Sequence, residues 1–321
     1  MGELSQRAPA GIGPVPARRR RRLVAPEPVR LLWRNRMSAF GIVLLGAIVA
    51  VTVLAPWLTS QSPSIPHSLP GQPPSWTNPL GTTDQGYSVY AQVIHGGRIS
   101  LAVASAATLI AMAISITLGL LAAYCRGFVD DGINLVTNIF LVIPTLPLLI
   151  VISSFLKQTG PWIMAAIIGL TSWAIETRIL RGQALSLQSR DFIQAAKVTG
   201  ESTLRIVFFE LMPNMLSRIA AGFAFVFIQA VFYEAALEFL GFGDANKISW
   251  GTILFWATNN STLLQGEWWH FLFPGLAISL TILAIVFINY GIDELGDPRL
   301  RQTGPKKPGL LSRLFWPRKA T

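Results

Sequence analysis

Residues 101–124 read LAVASAATLIAMAISITLGLLAAY, a run without one charged side chain. A helix crossing a hydrocarbon layer of about 30 Å needs about 20 apolar residues at roughly 1.5 Å each. Helix is the conformation that satisfies every backbone N–H and C=O of such a run internally. Five further runs meet the same test: Met37 to Trp57, Ile133 to Phe155, Trp162 to Thr177, Leu216 to Leu240 and Phe271 to Tyr290. The run from Ile133 contains Pro144 and Pro147, which predict a kink. Over the whole chain 51% of residues are hydrophobic, 13% are charged and the mean hydropathy is +0.49, values that place it among membrane proteins. The expected fold is all-α and polytopic, with six transmembrane helices.

Charge placement gives the expected orientation. Nine Lys or Arg precede the first run, including Arg18 to Arg22, and none lies between Leu58 and Gly97. Arg126 follows the second run. Arg178, Arg181, Arg190, Lys197 and Arg205 lie between the fourth and fifth, Arg218 stands at the start of the fifth, and seven basic residues follow the sixth. Against these 23, the opposite side holds Lys157 and Lys247, with Arg98 at its boundary. Such an imbalance puts both termini in the cytoplasm of a multi-pass plasma (inner) membrane protein. Topology therefore accounts for the formal net charge of +10. The arginine run suits anionic lipid headgroups and, with no folded basic domain beside it, argues against nucleic acid as a partner. The lone cysteine, Cys125, cannot form an internal disulfide. The first run lies too far into the chain for a typical cleaved signal peptide and is read as a retained anchor. The expected divisions are a basic tail (1–36), a first transmembrane helix (37–57), an extracytoplasmic loop (58–98), a core (99–298) and a C-terminal tail (299–321).

The longest polar interruption on the expected cytoplasmic side is SRDFIQAAKVTGESTLRIVFFELMPN, residues 189–214. Asp191 is placed to cap a short helix, with Gln194 reaching back to the cap amide. Gly200 supplies a left-handed residue after its last turn. Ser202 starts a second helix and Pro213 is expected to end it. The product is a helix–glycine–helix elbow.

This stretch resembles the coupling loop of binding-protein-dependent ABC importer permeases, whose pattern is EAA-x3-G-x9-I-x-L-P. Ala195, Ala196, Gly200 and Pro213 fall on the pattern; Gln194, Glu210 and Met212 depart from it. Three further stretches are similar to the dipeptide/oligopeptide/nickel branch, C-type subunit. After the first run, Gly81, Thr82, Gly86, Gly97, Arg98, Ser100 and Leu101 match its G-T-D signature, with Asp84 shifted by one and Tyr87 in place of Arg. At the end of the fifth run, Glu234, Ala235, Leu237, Phe239, Leu240, Gly241 and Gly243, then Ser249, Trp250 and Gly251, match E-A-x-L-S-F-L-G-L-G and S-W-G-x-M-L, with Glu238 in place of Ser. At the end of the chain, Gly291 and Asp297 to Arg301 match the family's D-P-R-L-R ending. Around the second cytoplasmic turn Gly127, Asp130 and Pro144 also correspond, with Asn138 where the family has Asp.

The resemblance implies a permease subunit that translocates peptides by alternating access; nickel chelates and oligosaccharides are the alternative cargoes. It implies a second related permease, two ATP-binding subunits and an extracytoplasmic substrate-binding protein as partners. Asp191, Gln194, Ala195, Ala196, Lys197, Gly200, Glu201 and Pro213 then receive the movement of the ATPases. The chain lacks G-x-x-x-x-G-K-[ST], so ATP and Mg belong to partner subunits, and neither an enzymatic activity nor a cofactor of its own is expected. Glu234 and Glu238, four residues apart on one helical face, are expected to face the bundle interior or an outer vestibule, as a gate or as a hydrogen-bonded structural pair. Asp130 and Asp131 are expected to cap the third helix. Trp268 and Trp269 are expected in the interfacial aromatic belt. His67, His95 and His270 lack ligand spacing, so no metal is expected. An ion-coupled secondary transporter would show inverted repeats, and an intramembrane protease a nucleophile–base set or H-E-x-x-H; neither pattern is evident.

Overall fold

The computed structural model describes residues 32, 33, 35–125, 127–156 and 160–296. The arginine run Arg18 to Arg22, Arg126, Lys157 and the D-P-R-L-R ending lie outside the described residues. Among the described residues the regular structure is helical, apart from one isolated bridge between Thr82 and Ser88.

The first run forms α1 (Arg36–Val53), capped by the Asn35 side chain, which accepts from the Met37 and Ser38 amides. Pro56 then opens a short helix, α2 (Ala55–Leu58). The second run is longer than expected: α3 spans Val89–Cys125, 37 residues or about 55 Å. It begins twelve residues before the apolar run that starts at Leu101. Gly96 and Gly97 are helical contact positions. A Cβ on Gly96 would lie 3.1 Å from the Ser249 carbonyl carbon, and one on Gly97 would strike Thr52 and Trp250. The glycines let three segments approach closely, at a helix-propensity cost of about 1 kcal/mol each.

The third run is not one kinked helix. It divides into α4 (Phe128–Val142) and α5 (Thr145–Phe155), which meet at 88°. Ile143 and Pro144 are both extended, as steric conflict with the proline ring requires of the residue before it. The fourth run also divides, into α6 (Pro161–Thr171) and α7 (Ala174–Leu187), bent by 43°. The helical path therefore continues well beyond the expected end at Thr177. By length and composition four single helices can cross a membrane, or up to six segments if each bent pair is one crossing.

The elbow comprises α8 (Asp191–Val198), α9 (Thr203–Arg205), a π-helical stretch from Ile206 to Leu211, and α10 (Met212–Asn214). Next come α11 (Leu216–Phe239), α12 (Trp250–Asn259) and α13 (Trp269–Gly296). Helix α3 is central and packs against α6, α7 and α11, while α13 packs against α1 and α11. One apolar core joins Met112, Leu120, Leu180, Ile193, Ile206, Leu211 and Met215 near the elbow; a second joins Val103, Leu149, Met164, Ile168 and Leu237 toward the other end. Large apolar side chains such as Phe40, Leu109, Val142, Phe155 and Phe232 point outward, as a lipid solvent permits.

Trp268 and Trp269 differ in role. Trp268 is half exposed, but Trp269 is buried and its indole N–H donates to the Thr82 carbonyl at 2.9 Å. Trp269 thus anchors the loop before α3 rather than joining an aromatic belt.

Candidate functional site

At the elbow, α8 buries Ile193 in the core and exposes Asp191, Gln194, Ala195 and Lys197. Ala196 is half-buried, packed against the same core. The expected cap is corrected: helix α8 already includes Asp191, and Gln194 turns away from the cap position. Its amide Nε2 donates 2.9 Å to the Gln188 carbonyl, and the Gln188 side chain donates 2.5 Å to the Ala123 carbonyl near the end of α3. A two-step hydrogen-bonded chain therefore ties the exposed elbow to the central helix.

Gly200 has φ +78°, and the amides around it close α8 in two steps. Gly200 N–H donates to Lys197 O (3.1 Å), and Glu201 N–H donates to Ala196 O (3.2 Å). The second bond is the six-to-one closure of a Schellman motif. Ser202 then caps α9 by accepting from the Arg205 amide, and Arg205 pairs with Glu201 at 3.3 Å. Lys197 lies over the Tyr124 ring, 5.3 Å from its centroid.

Pro213 lies one residue before the end of the helical run that Ser202 starts, close to the stop expected of it. Pro213 stands within α10, which ends at Asn214, and Met215 (φ −110°, ψ 6°) breaks the helix before α11 begins. The π-helical stretch before it shifts the register by one residue and turns Ile206, Val207 and Leu211 into the core.

Two ion pairs brace the helices behind the elbow. Arg181 of α7 grips Asp130 of α4 bidentately, with both N–O distances 2.6 Å. Asp130 and Asp131 stand in the first turn of α4 as expected, and the ion pair adds a tie to α7. Arg218 of α11 donates to both oxygens of Glu176 in α7, at 2.8 and 2.9 Å. Glu176 is only 1% exposed, and Gly222 makes room for it: a Cβ there would lie 2.8 Å from Oε2. Arg178 also bonds to Asn138. Sequence reading counted these arginines as bulk positive charge and passed over Glu176. The signal that would have found the pair is an acidic residue inside an apolar run, which demands a partner.

At the opposite end Glu234 and Glu238 are enclosed, 0% and 3% exposed. Ser100 Oγ donates to Glu234 at 2.8 Å and accepts from the Trp250 amide at 3.1 Å. Ser249 Oγ donates to Glu238 while capping α12, where Thr252 completes a capping box. A Cβ on Gly251 would stand 2.7 Å from Glu238 Cβ and 3.0 Å from Ala235 Cα; one on Gly243 would stand 2.7 Å from Glu238 Cγ. The motif glycines and serine therefore form a close-fitting box for the second carboxylate. Gly251→Ala is expected to destabilise the folded chain by about 1–3 kcal/mol through overpacking against this backbone. Thermal unfolding in detergent checks it, with an unchanged midpoint as the contrary result.

On the same end an outer cleft of about 260 Å³ is lined by Asp84, Lys247, Trp256, Asn260 and His270, among others. Glu267 lies nearby, its carboxyl raised above the usual range by burial and then by the charge of Asp84.

Comparison with known proteins now bears on this geometry. Residues 115–302 match the family described as binding-protein-dependent transport system inner membrane component. That span holds both bracing ion pairs, the elbow and the glutamate box. The chain belongs to this family. Among relatives of this inner membrane component, a peptide transport system permease protein of Brucella abortus biovar 1 is 35% identical over 279 residues, covering 86% of this chain and 92% of that one. The dipeptide transport system permease protein DppC of Bacillus subtilis is 33% identical over 280 residues, 85% of each chain. The fold of the inward-facing MetNI methionine ABC transporter superposes with a TM-score of 0.50 at 17% identity, over 64% of this chain and 94% of that one. The chain is thus a multi-pass inner-membrane permease subunit of an ABC importer.

Proposed function

We propose that this permease subunit carries di- or oligopeptides inward by alternating access, driven by ATPase subunits that engage the exposed elbow from the cytoplasm. The observation that carries the cargo is the likeness, over most of the chain, to relatives named peptide and dipeptide permeases. Support for the elbow as the receiving surface is physical. Asp191, Gln194, Ala195, Lys197 and Gly200 are exposed, and Phe192, Val198 and Leu204 add exposed apolar area, while Ile193 and Ile206 root the elbow in the core. Small side chains at Ala195 and Ala196 let a partner surface approach closely. A displacement of α8 reaches α3 through Gln194 and Gln188, and reaches α11 through the Ile206–Asn214 segment that leads directly into it.

In this account the chain works with a second, related permease, two ATP-binding subunits and an extracytoplasmic binding protein, and hydrolyses no ATP itself. The enclosure of Glu234 and Glu238 favours a structural clamp holding α3, α11 and α12 together over a water-lined gate. Co-expression with candidate ATPase subunits, copurification and uptake of labelled dipeptide into proteoliposomes test the proposal. ATP-dependent uptake is expected; a purified chain that never retains an ATPase subunit, or a complex that ignores peptides, would contradict it.

A further inference from the structure

The loop before α3 and the head of α13 bring three potential ligands together that lie far apart in sequence: Asp84, Glu267 and His270. Each offers one ligand atom, and these atoms lie within 4.8 Å of one another. Among the described residues this set is the one cluster of His, Cys, Asp and Glu with that spacing. It is not a solvated acidic patch. Glu267 and His270 are 6% and 2% exposed, and Glu267 Oε2 and His270 Nδ1 are buried with no hydrogen-bond partner among the described residues. Buried polar atoms in folded proteins are almost always partnered, so two orphaned polar atoms in one cluster call for a ligand.

We propose that Asp84, Glu267 and His270 form a site for a divalent first-row transition-metal ion that fastens the loop before α3 to the head of α13. A neutral imidazole with two carboxylates is a donor set for zinc-type ions; calcium and magnesium prefer all-oxygen shells. Ligand atoms around tetrahedral zinc stand about 3.3 Å apart, given metal–ligand bonds of about 2.0–2.1 Å. The three side chains thus need only a short inward adjustment. Asn260 Nδ2 donates to Asp84 Oδ2 at 2.8 Å, which orients that carboxylate as outer-shell partners of metal ligands do. Asp84 and His270 both line the outer cleft, so the cleft gives an ion its path and leaves a fourth position for water. Two bonds to backbone carbonyls hold the frame: the Trp269 indole N–H donates to Thr82 O, and the His270 amide donates to Glu267 O at 3.2 Å. The reading reverses the sequence expectation of no metal, because the ligands converge only in three dimensions.

The test uses the detergent-purified full chain, treated with chelator and dialysed against Zn²⁺, with bound metal counted after gel filtration. One Zn²⁺ per chain is expected, bound at least about 100-fold more weakly in Glu267→Gln and in His270→Gln. Co²⁺ should give the visible d–d bands of a low-coordinate site, and X-ray absorption on the wild-type chain should show imidazole and oxygen but no sulfur ligand. Asp84→Ala, at the half-buried member of the set, is the variant least exposed to folding failure, and it should lose the rise in melting temperature that Zn²⁺ gives the wild type. No Zn²⁺ retained by the wild-type chain would overturn the proposal. So would stoichiometric binding that survives all three substitutions, or a sulfur ligand from Cys125.

Discussion

Valine at position 200 is expected to cut peptide uptake per ATP hydrolysed by about tenfold or more while leaving the protein inserted and folded. At φ +78° a β-branched side chain clashes with its own backbone, yet nothing lies within 4 Å of the Cβ position, so the penalty is purely conformational. Placing an L-residue in the left-handed region costs about 1–2 kcal/mol, and a β-branched one lies at the upper end. Such a cost reduces the population of the closed elbow by a factor of roughly 5–30. The bonds at risk are the two that end α8, from the Gly200 and Glu201 amides. Because Gly200 itself is exposed, the strain falls at the turn rather than on the core residues of the elbow. Asparagine, which tolerates the left-handed region, should retain most coupling. Uptake and ATPase rates measured together in proteoliposomes decide the matter, and wild-type coupling in Gly200→Val would count against the elbow as the lever.

Removing the Arg218 guanidinium is expected to produce the largest loss of stability. Arg218→Met leaves the Glu176 carboxylate enclosed among α3, α7 and α11 with its ionic partner gone. Breaking a buried pair from one side costs about 3–5 kcal/mol, and about 3 is expected here because Arg218 is itself a quarter exposed. The double substitution Glu176→Met with Arg218→Met should recover most of the loss, since it removes the stranded charge and its partner together. A double-mutant cycle of unfolding midpoints in detergent measures the coupling directly. If Arg218→Met alone melts with the wild type, the pair does not brace these helices.

Much of the architecture was legible in the apolar runs, because hydrophobic length is the property a bilayer selects. The break at Pro144 was legible as a disturbance but not as an angle of 88°, which depends on what each half packs against. The early start of α3 was hidden because Gly96 and Gly97 carry the same letters in a turn as in a tight helix contact. Gly200 and Ser202 were readable since their conformations follow from local chemistry. Asp191 misled because a competing partner, the Gln188 carbonyl for Gln194, lies outside the short window that suggested a cap. The glutamates at 234 and 238 were correctly read as inward-facing on one helical face. Their enclosure by Ser100, Ser249 and Gly251 required the third dimension. Partners distant in sequence, Asp130 with Arg181 and Asp84 with His270, left no trace that one sequence can show.

Cysteine crosslinking tests the central claim most directly. Cys125 is the chain's one cysteine and is exposed, so a Cys125→Ser background gives a silent starting point. Ala195→Cys, on the outer face of α8, should crosslink to an ATP-binding subunit in the assembled complex, with a yield that changes when ATP is added. Ser261→Cys, at the opposite end of the bundle, should not. Crosslinking to the ATPase from Ser261→Cys, with none from Ala195→Cys, would contradict the account.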